Sequence, residues 1–299
     1  MKHTVRRIGL AAATALISLA TIACTTRQEP APAATVDERA VAFTRLPTPP
    51  DSSLKGDDFS RAVRRGRALL DATPDSLPHN AGNALRCNSC HLDDGTRAFA
   101  MPYVGVYGRF PQYRARSGTV EVIEDRINDC FRRSLNGRAL DVAGRDMKDI
   151  VSYFAWLGRG LKVGERVTGQ GIDSIVSRVA ADAQRGAKVF QDNCTRCHGP
   201  DGQGITVRSH PSLHAPPLWG PRSFSIGAGM ARVRVAAAFI HRHMPFDRLI
   251  APTQQQAFDV AAFVTSRPRP GFPGKELDWP KGDPPPDVAY ATLKARGGR

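Results

Sequence analysis

Two pentapeptides decide how this chain folds: Cys87-Asn88-Ser89-Cys90-His91 and Cys194-Thr195-Arg196-Cys197-His198. Both have the pattern Cys-x-x-Cys-His, which is typical of c-type haem attachment. The two thiols lie one helical turn apart, so both can bond the vinyl groups of one porphyrin. The His that follows then lies over the iron as its axial ligand. The sequence therefore predicts two covalently bound c-type haems and a role in electron transfer.

Zinc binding and disulfide formation are the alternative interpretations of the four cysteines in these motifs. A zinc site would need further Cys or His ligands from a second position. A disulfide within Cys-x-x-Cys suits a thioredoxin-like βαβ pattern, which the sequence lacks. Because His follows the second cysteine in both motifs, haem attachment is favoured over both alternatives.

Composition and charge limit the classes of protein that the chain can belong to. The 299 residues are enough for two domains, and 41% hydrophobic and 23% charged residues are typical of a globular protein. Aromatic residues make up only 7%, so two haems would fill much of the cores. The formal charge of +14 favours attraction of small anions or of an acidic electron-transfer partner. We expect no nucleic-acid ligand, because an exported haem protein rarely meets nucleic acid.

The N-terminus has the pattern of an export signal. Three positive charges precede an apolar run that ends at Ala23 and is too short to span a membrane comfortably. Residues 1–23 are therefore predicted to be a signal peptide and the protein to be periplasmic. Cys24 is a candidate for lipidation, which would anchor the protein to a membrane. Thr21 replaces the Leu usual at such sites, so ordinary cleavage near Ala23 is the alternative.

Two similar units follow a Pro- and Ala-rich tether. Each unit opens with a helical pattern that carries an Arg-Gly pair, at Arg65-Gly66 and Arg185-Gly186, and each closes with an amphipathic helix. A Gly inside a helix weakens it, so its presence in both units predicts close contact between the opening and closing helices. We predict an all-α fold of two tandem cytochrome c-like domains. The segments are a tether at 24–55, the first domain at 56–165, the second at 166–268 and a Pro-rich tail without regular structure at 269–299.

The closing helices are read from apolar residues at i, i+3, i+4 and i+7. These are Met147, Ile150, Val151 and Phe154 in the first unit, and Ala257, Val260, Ala261 and Val264 in the second. Thr253 and Gln256 form a capping-box pattern at the start of the second closing helix.

Met244 is the predicted distal ligand of the second haem. An apolar helical face runs from Val233 to Ile240, and Pro245 ends that helix. Pro245 also favours an extended backbone at Met244, which can then fold over a haem. Thioether ligation would raise the reduction potential. The alternatives are that Met244 fills the core, and that His243 replaces it as ligand; otherwise His243 is expected at the surface.

Cys130 is the predicted distal ligand in the first unit. Met101-Pro102 lies only ten residues after His91, which is too close to cross the haem. A helix that begins after Thr119 as its N-cap, with Glu121 and Glu124 in its first turn, places Arg126, Cys130 and Ser134 along one face. A neighbouring cation lowers the pKa of a thiol, and the thiolate is both ligand and nucleophile. The alternative is a buried structural thiol.

Several stretches of the chain resemble the thiosulfate dehydrogenase family. They are residues 126–137, 216–221, 227–230 and 274–280, and the resemblance covers nearly all of residues 56–292. It implies that His91 and Cys130 are the axial ligands of the first haem, and that Cys130 carries the substrate sulfur. It implies His198 and Met244 at the second haem, and Arg116, Arg126 and Ser134 as substrate-binding residues. In this chain His243 stands where the family often has Lys or Asn.

The resemblance also implies a reaction. Two thiosulfate ions would be joined into tetrathionate by covalent catalysis at Cys130, with Arg116 and Arg126 holding the anion. Electrons would pass from the first haem to the second and on to an external acceptor such as a cytochrome, and the reaction would also run in reverse. One alternative is a dihaem electron carrier without a substrate; another is a Sox-type sulfur-carrier cytochrome. A dihaem peroxidase is disfavoured, because Cys130 and Met244 would occupy both irons.

Overall fold

The structure is a computed structural model, which describes residues 44–206, 214–247 and 251–293. The predicted signal peptide, Cys24 and the first part of the predicted tether lie outside these residues. Nine α-helices occur in the described part of the chain, together with two small antiparallel hairpins, so the fold is dominated by helix as predicted. The described residues include no helix that is long and apolar enough to cross a membrane.

The helices are distributed over both units. In the first unit they are α1 (Asp58–Asp71), α2 (Thr73–Ser76), α3 (Leu92–Gly95), α4 (Ile123–Arg133) and α5 (Arg145–Leu157). In the second unit they are α6 (Ala183–Asn193), α7 (Thr195–His198), α8 (Val233–His243) and α9 (Gln254–Ser266). The hairpins pair β1 (Gln112–Arg114) with β2 (Thr119–Glu121), and β3 (Ile205–Thr206) with β4 (His214–Ala215).

The opening and closing helices of each unit cross at the Gly of the Arg-Gly pair. A Cβ on Gly66 of α1 would lie 2.1 Å from the carbonyl oxygen of Asp149 on α5. A Cβ on Gly186 of α6 would lie 1.9 Å from the carbonyl oxygen of Asp259 on α9. Only glycine allows this approach, so the predicted contact is confirmed in both units.

The arginine before each of these glycines pairs with the carboxylate of the same aspartate. Arg65 donates to Asp149 at 2.6 Å, and Arg185 donates to Asp259 through Nε at 2.8 Å. The same helix crossing is therefore repeated in the two units. In each, the backbone of one aspartate contacts the glycine, and its carboxylate binds the preceding arginine.

Both closing helices lie where the apolar pattern predicted them. Met147, Ile150 and Phe154 of α5 are buried, and Val151 is partly buried. All four predicted residues of α9 are buried, and Thr253 and Gln256 form the predicted capping box.

The start of α4 was predicted wrongly. Thr119 and Glu121 belong to β2, where Thr119 pairs with Arg114 across the hairpin. The helix begins after Val122 instead, and Asp125 accepts a hydrogen bond from the Val122 backbone amide at 3.1 Å. Strand pairing with residues 112–114, which are distant from the helix pattern, decided this boundary.

A segment of the second unit packs into the core of the first. Phe224, Ala228 and Ala231 are buried in the same apolar cluster as Phe131 and Ile150. The predicted domain boundary at residue 165 therefore divides the sequence into two units, but residues from both sides of it contribute to the core of the first unit.

Backbone and side-chain hydrogen bonds hold this segment against α4. The amide and hydroxyl of Ser225 both donate to the Arg133 carbonyl, at 3.1 and 2.7 Å. Asn83 donates through Nδ2 to the carbonyl oxygens of both Ser134 and Ser223. The C-terminal end of α4 is therefore tied to the second unit.

The segments on either side of the two units also pack on the first. Leu46 and Leu54 of the predicted tether are buried, and Trp156 donates to the Ser53 hydroxyl at 3.1 Å. In the tail, Trp279 and Asp278 are buried. The tail was predicted to lack regular structure, and its described residues include one 3₁₀ turn at Lys275–Leu277.

Candidate active site at Cys130

The first Cys-x-x-Cys-His motif holds its histidine in a fixed orientation. The Nδ1 atom of His91 lies 2.6 Å from the Met101 carbonyl oxygen, and the ring stacks on Tyr103 with centroids 4.6 Å apart. With Nδ1 donating to this carbonyl, Nε2 is the nitrogen left to bind iron. Tyr103 in turn stacks on Phe154 of α5, so the closing helix supports the ligand.

The second motif repeats this arrangement. The Nδ1 atom of His198 lies 3.0 Å from the Pro216 carbonyl oxygen. In both units the accepting residue precedes a proline, Pro102 in the first and Pro217 in the second. Sequence reasoning considered Met101 only as a side-chain ligand and missed the role of its carbonyl. The available signal was that a residue followed by proline occurs after each of the two motifs.

Buried guanidinium and phenol groups fit the propionates of haem. Nε and Nη1 of Arg269 are buried without a hydrogen-bond partner among the described residues, and burial lowers the pKa of this arginine to about 10. The buried hydroxyl of Tyr103, beside His91, also has no described partner. Such donors are costly to bury unless an acceptor meets them. Together with the oriented histidines, they fit two haem groups.

Cys130 lies in the pocket of the first motif. Burial raises the pKa of Cys87 and of Cys90 to about 12, and the charge of Cys130 acts on both in the same direction. The same charge acts on Tyr103, whose pKa burial raises well above its ordinary value. The fold therefore brings Cys130, 40 residues after Cys90, close to the residues that hold the first haem.

Arg126 contacts the sulfur of Cys130 directly. Its Nη1 atom donates to Sγ at 3.0 Å, one turn earlier on α4, as the i, i+4 spacing predicted. The charge of Cys130 raises the pKa of Arg126 despite burial, which acts in the opposite direction. The guanidinium of Arg126 therefore places a positive charge in contact with the sulfur of Cys130.

Ser134 follows α4 as its C-cap, on the same face as Cys130. Its backbone amide donates to the Cys130 carbonyl at 2.9 Å, and its own carbonyl accepts from Asn83. No partner within the described residues takes the hydroxyl hydrogen bond. The predicted row of Arg126, Cys130 and Ser134 is therefore present in the structure.

Arg116 lies in the turn of the hairpin formed by β1 and β2. Its Nη1 atom donates to the Gly227 carbonyl at 2.9 Å, and its guanidinium lies 4.8 Å from the ring centroid of Trp279. The Trp279 amide donates to the Arg116 carbonyl at 2.8 Å. Arg116 is thus held by the second unit and the tail, and its described contacts do not include Cys130.

Arg114 is the functional candidate that sequence reasoning missed. Burial lowers its pKa, and the charge of Arg126 is the next cause, so the two guanidinium groups lie near each other. Its Nε atom is 4.0 Å from a carboxylate oxygen of Glu121 on the paired strand. The available signal was the spacing of Arg114 and Arg116, two residues apart in one short hairpin.

Arg133 connects α4 to the tail. It donates to both oxygens of Asp278 at 2.7 Å, and its guanidinium lies 4.1 Å from the centroid of Phe272. Asp278 also accepts from the Tyr290 hydroxyl at 2.5 Å. The C-terminal end of α4 is therefore tied to residues far along the chain.

Met244 follows α8 with an extended backbone, as Pro245 predicted. It packs against an apolar cluster that contains Leu92, the residue after His91, and Phe239. Its assignment as ligand of the second haem stays a prediction. The expectation that a non-ligating His243 lies at the surface is wrong, because this side chain is only 1% exposed and packs against Phe239.

Comparison with known proteins adds an independent finding. The family described as SoxA/TsdA, cytochrome c domain, matches residues 79–163, and the cytochrome c family matches residues 183–268. The thiosulfate dehydrogenase of Psychrobacter arcticus is 40% identical over 240 residues, covering 80% of this chain and 73% of that protein. That of Allochromatium vinosum is 43% identical over 231 residues, covering 76% and 85%.

A solved structure is also similar. It is the as-isolated form of thiosulfate dehydrogenase (TsdBA) from Marichromatium purpuratum, with 34% identity and a TM-score of 0.73. The match covers 78% of this chain and 52% of that one, so this chain corresponds to about half of its length.

Proposed function

The chain belongs to the thiosulfate dehydrogenase family and carries two covalently bound c-type haems, and on this basis we propose that it joins two thiosulfate ions into tetrathionate at Cys130. The observation that supports this site best is the 3.0 Å contact between Arg126 Nη1 and Cys130 Sγ beside the first haem motif.

In this proposal His91 and Cys130 hold the iron of the first haem, and His198 and Met244 hold that of the second. His243 is the alternative to Met244. The two histidines are supported by the carbonyls that fix their Nδ1 atoms. Haems held by these residues would supply one-electron transfer from the first haem to the second and on to an external acceptor such as a cytochrome.

Substrate binding follows from charge. Thiosulfate is a dianion that must reach the sulfur of Cys130, and Arg126 lies beside that sulfur. The proposal assigns Arg126, Arg116 and the hydroxyl of Ser134 to bind the oxygens of the two thiosulfate ions. The formal charge of the whole chain, +14, assists the approach of anions over longer distances.

The covalent chemistry has two steps that balance. In the first, the thiolate of Cys130 and the outer sulfur of thiosulfate form an S–S bond, and two electrons are released. In the second, another thiosulfate attacks the sulfur bonded to Cys130, the Cys130–sulfur bond breaks, and tetrathionate leaves with the thiolate restored. In the reverse direction the same residues would reduce tetrathionate.

Location is a separate part of the proposal. The positive start and apolar run over 1–23 support export to the periplasm, and Cys24 is proposed as a lipid anchor. Fractionation of cells that express the full chain and a Cys24→Ala variant tests both points. Release of the variant from the membrane fraction, with the wild type retained, is the result expected.

The central test mixes the purified holoprotein with thiosulfate and ferricyanide and assays tetrathionate. The wild type should form it, and Cys130→Ala should not, while both proteins retain two haems by absorbance of the pyridine adduct. Tetrathionate formation by Cys130→Ala would contradict the proposal. An inactive wild type would instead indicate a dihaem electron carrier, and activity only with a sulfur-bearing partner protein would indicate a sulfur-carrier cytochrome.

A further inference from the structure

A second partly buried arginine lies near Arg116, on the other half of the chain. Arg232 precedes α8, and its Nε atom is buried without a hydrogen-bond partner among the described residues. Its backbone groups are engaged, because its amide donates to Gly229 and its carbonyl accepts from Ala236. The Nε–H group is therefore the part of Arg232 that still needs an acceptor.

Arg116 and Arg232 lie at the same glycine-rich turn. Arg116 donates to the Gly227 carbonyl at 2.9 Å, while Nη2 of Arg232 lies 3.9 Å from where a Cβ on Gly229 would be. The pKa of Arg116 is lowered by burial and by the charges of Arg133 and Arg232, while Tyr290 and Asp278 act in the opposite direction. The positive charges of Arg116 and Arg232 therefore repel each other across this turn.

The nearby carboxylate of Asp278 is shared with other groups. Asp278 accepts from two nitrogens of Arg133 and from the Tyr290 hydroxyl, which engages both of its oxygens. Within residues 44–206, 214–247 and 251–293, neither Arg116 nor Arg232 forms an ion pair at 4.0 Å or less. Two partly buried cations with no carboxylate at ion-pair distance are an arrangement that binds an oxoanion.

We propose that Arg232 and Arg116 bind the second thiosulfate, the ion that attacks the sulfur carried by Cys130. This inference rests on the proposed function and adds a residue of the second cytochrome c unit to the active site. Joining two dianions requires positive charge at both, because their mutual repulsion opposes the approach. Arg126 supplies that charge at Cys130, and the pair formed by Arg116 and Arg232 supplies it for the attacking ion.

The step can be isolated by running it backwards without electron transfer. Tetrathionate added to the oxidised holoprotein reacts with the Cys130 thiolate: one S–S bond of tetrathionate breaks, Cys130 gains a thiosulfate group, and free thiosulfate leaves. No net oxidation occurs, so the rate reports only on anion binding and sulfur transfer. Intact-protein mass spectrometry follows the adduct, and a thiosulfate assay follows the leaving ion.

The experiment compares Arg232→Gln and Arg232→Lys with Arg234→Gln, an exposed control two residues further that removes the same charge. We expect Arg232→Gln to slow adduct formation at least about tenfold, the usual scale for losing a hydrogen bond to a charged group. Arg232→Lys should recover part of the rate, and Arg234→Gln should match the wild type. Haem content and both reduction potentials should be unchanged in all three variants.

Two results would overturn the inference. One is wild-type adduct formation in Arg232→Gln. The other is a changed reduction potential or haem content in Arg232→Gln, which would assign Arg232 to a haem propionate. Absence of the adduct in the wild type itself would contradict the proposed function at Cys130, and is thereby distinguished from a failure of the Arg232 assignment.

Discussion

Nη1 of Arg126 lies 3.0 Å from Sγ of Cys130, one turn away on the same helix. The contact joins a partly buried cation to the single cysteine of the described residues that lies outside the haem motifs. The charge of Cys130 is the largest cause of the raised pKa of Arg126, so the sulfur stabilises the charged guanidinium. A positive charge therefore lies at the reacting sulfur before substrate arrives.

Removing this cation should impair the reaction. We expect Arg126→Ala to lower kcat/KM for thiosulfate roughly thirtyfold, which corresponds to a loss of about 2 kcal/mol in transition-state stabilisation. The reason is that a charged hydrogen bond to the sulfur and the substrate is lost. Arg132→Ala is the control, since Arg132 is an exposed arginine of the same helix. Steady-state kinetics with ferricyanide measure both variants. Unchanged turnover and unchanged KM in Arg126→Ala would show that its assigned role is wrong.

The helix crossing predicts a large effect of a single methyl group. A Cβ at position 186 would lie 1.9 Å from the Asp259 carbonyl oxygen, so Gly186→Ala must force the two helices apart. We expect a loss of about 3 kcal/mol in the free energy of unfolding, as for severe overpacking. Gly271→Ala is the matched control, because nothing lies within 4 Å of its Cβ position. Denaturant titration of both variants measures the difference.

The tail should contribute to both stability and substrate affinity. Asp278→Ala leaves Arg133 buried beside Phe272 without its bidentate partner, which should cost about 3 kcal/mol of stability. The neighbouring Trp279 supports Arg116, so KM for thiosulfate should also rise. Asp283→Ala, at an exposed position of the tail, is expected to change neither. A rise in KM for Asp283→Ala as large as for Asp278→Ala would contradict this account.

The pairing of Asp259 predicts a pH dependence of stability. Burial alone would raise the pKa of Asp259, but hydrogen bonds from Arg185, the Asp182 amide and Gln255 lower it below its ordinary value of 3.8. A carboxylate whose folded pKa is lowered stabilises the protein above its unfolded pKa, and this contribution is lost as the pH falls through the folded value.

Thermal melting of an Asp259→Asn variant tests this sign. Its Tm should lie below that of the wild type at neutral pH, and the gap should narrow as the pH falls below 3.8. Asp192→Asn, which breaks an exposed pair with Lys188, should alter Tm little at any pH. A gap that widens in acid would contradict the assignment.

The distal ligand of the second haem can be assigned by substitution. Because a thioether raises the reduction potential, Met244→Ala should lower the potential of one haem and leave the other unchanged. His243→Ala should disturb packing against Phe239 without that shift. Potentiometric titration monitored by absorbance separates the two. A changed potential in His243→Ala, with Met244→Ala like the wild type, would assign the ligand to His243.

The haem units and much of the helical framework could be predicted because their signals are local. Cys-x-x-Cys-His needs only five residues to place two thiols and an imidazole on one porphyrin. The apolar period predicted α5 and α9, and the Arg-Gly pairs predicted the crossings at Gly66 and Gly186. The row formed by Arg126, Cys130 and Ser134 was likewise within reach, because one helix sets its spacing.

The amino-acid order thus fixes the chemistry that one helix or one pentapeptide can carry. The packing of remote segments, by contrast, selects the distant groups that complete the site: the Met101 carbonyl that orients His91, and the Gly227 carbonyl and Trp279 that hold Arg116. Strand pairing also extends the hairpin to Glu121, although the sequence pattern predicted that α4 begins earlier. These features escape sequence reasoning because backbone carbonyls carry no residue-specific signal, and a buried guanidinium takes whichever acceptor the folded chain presents.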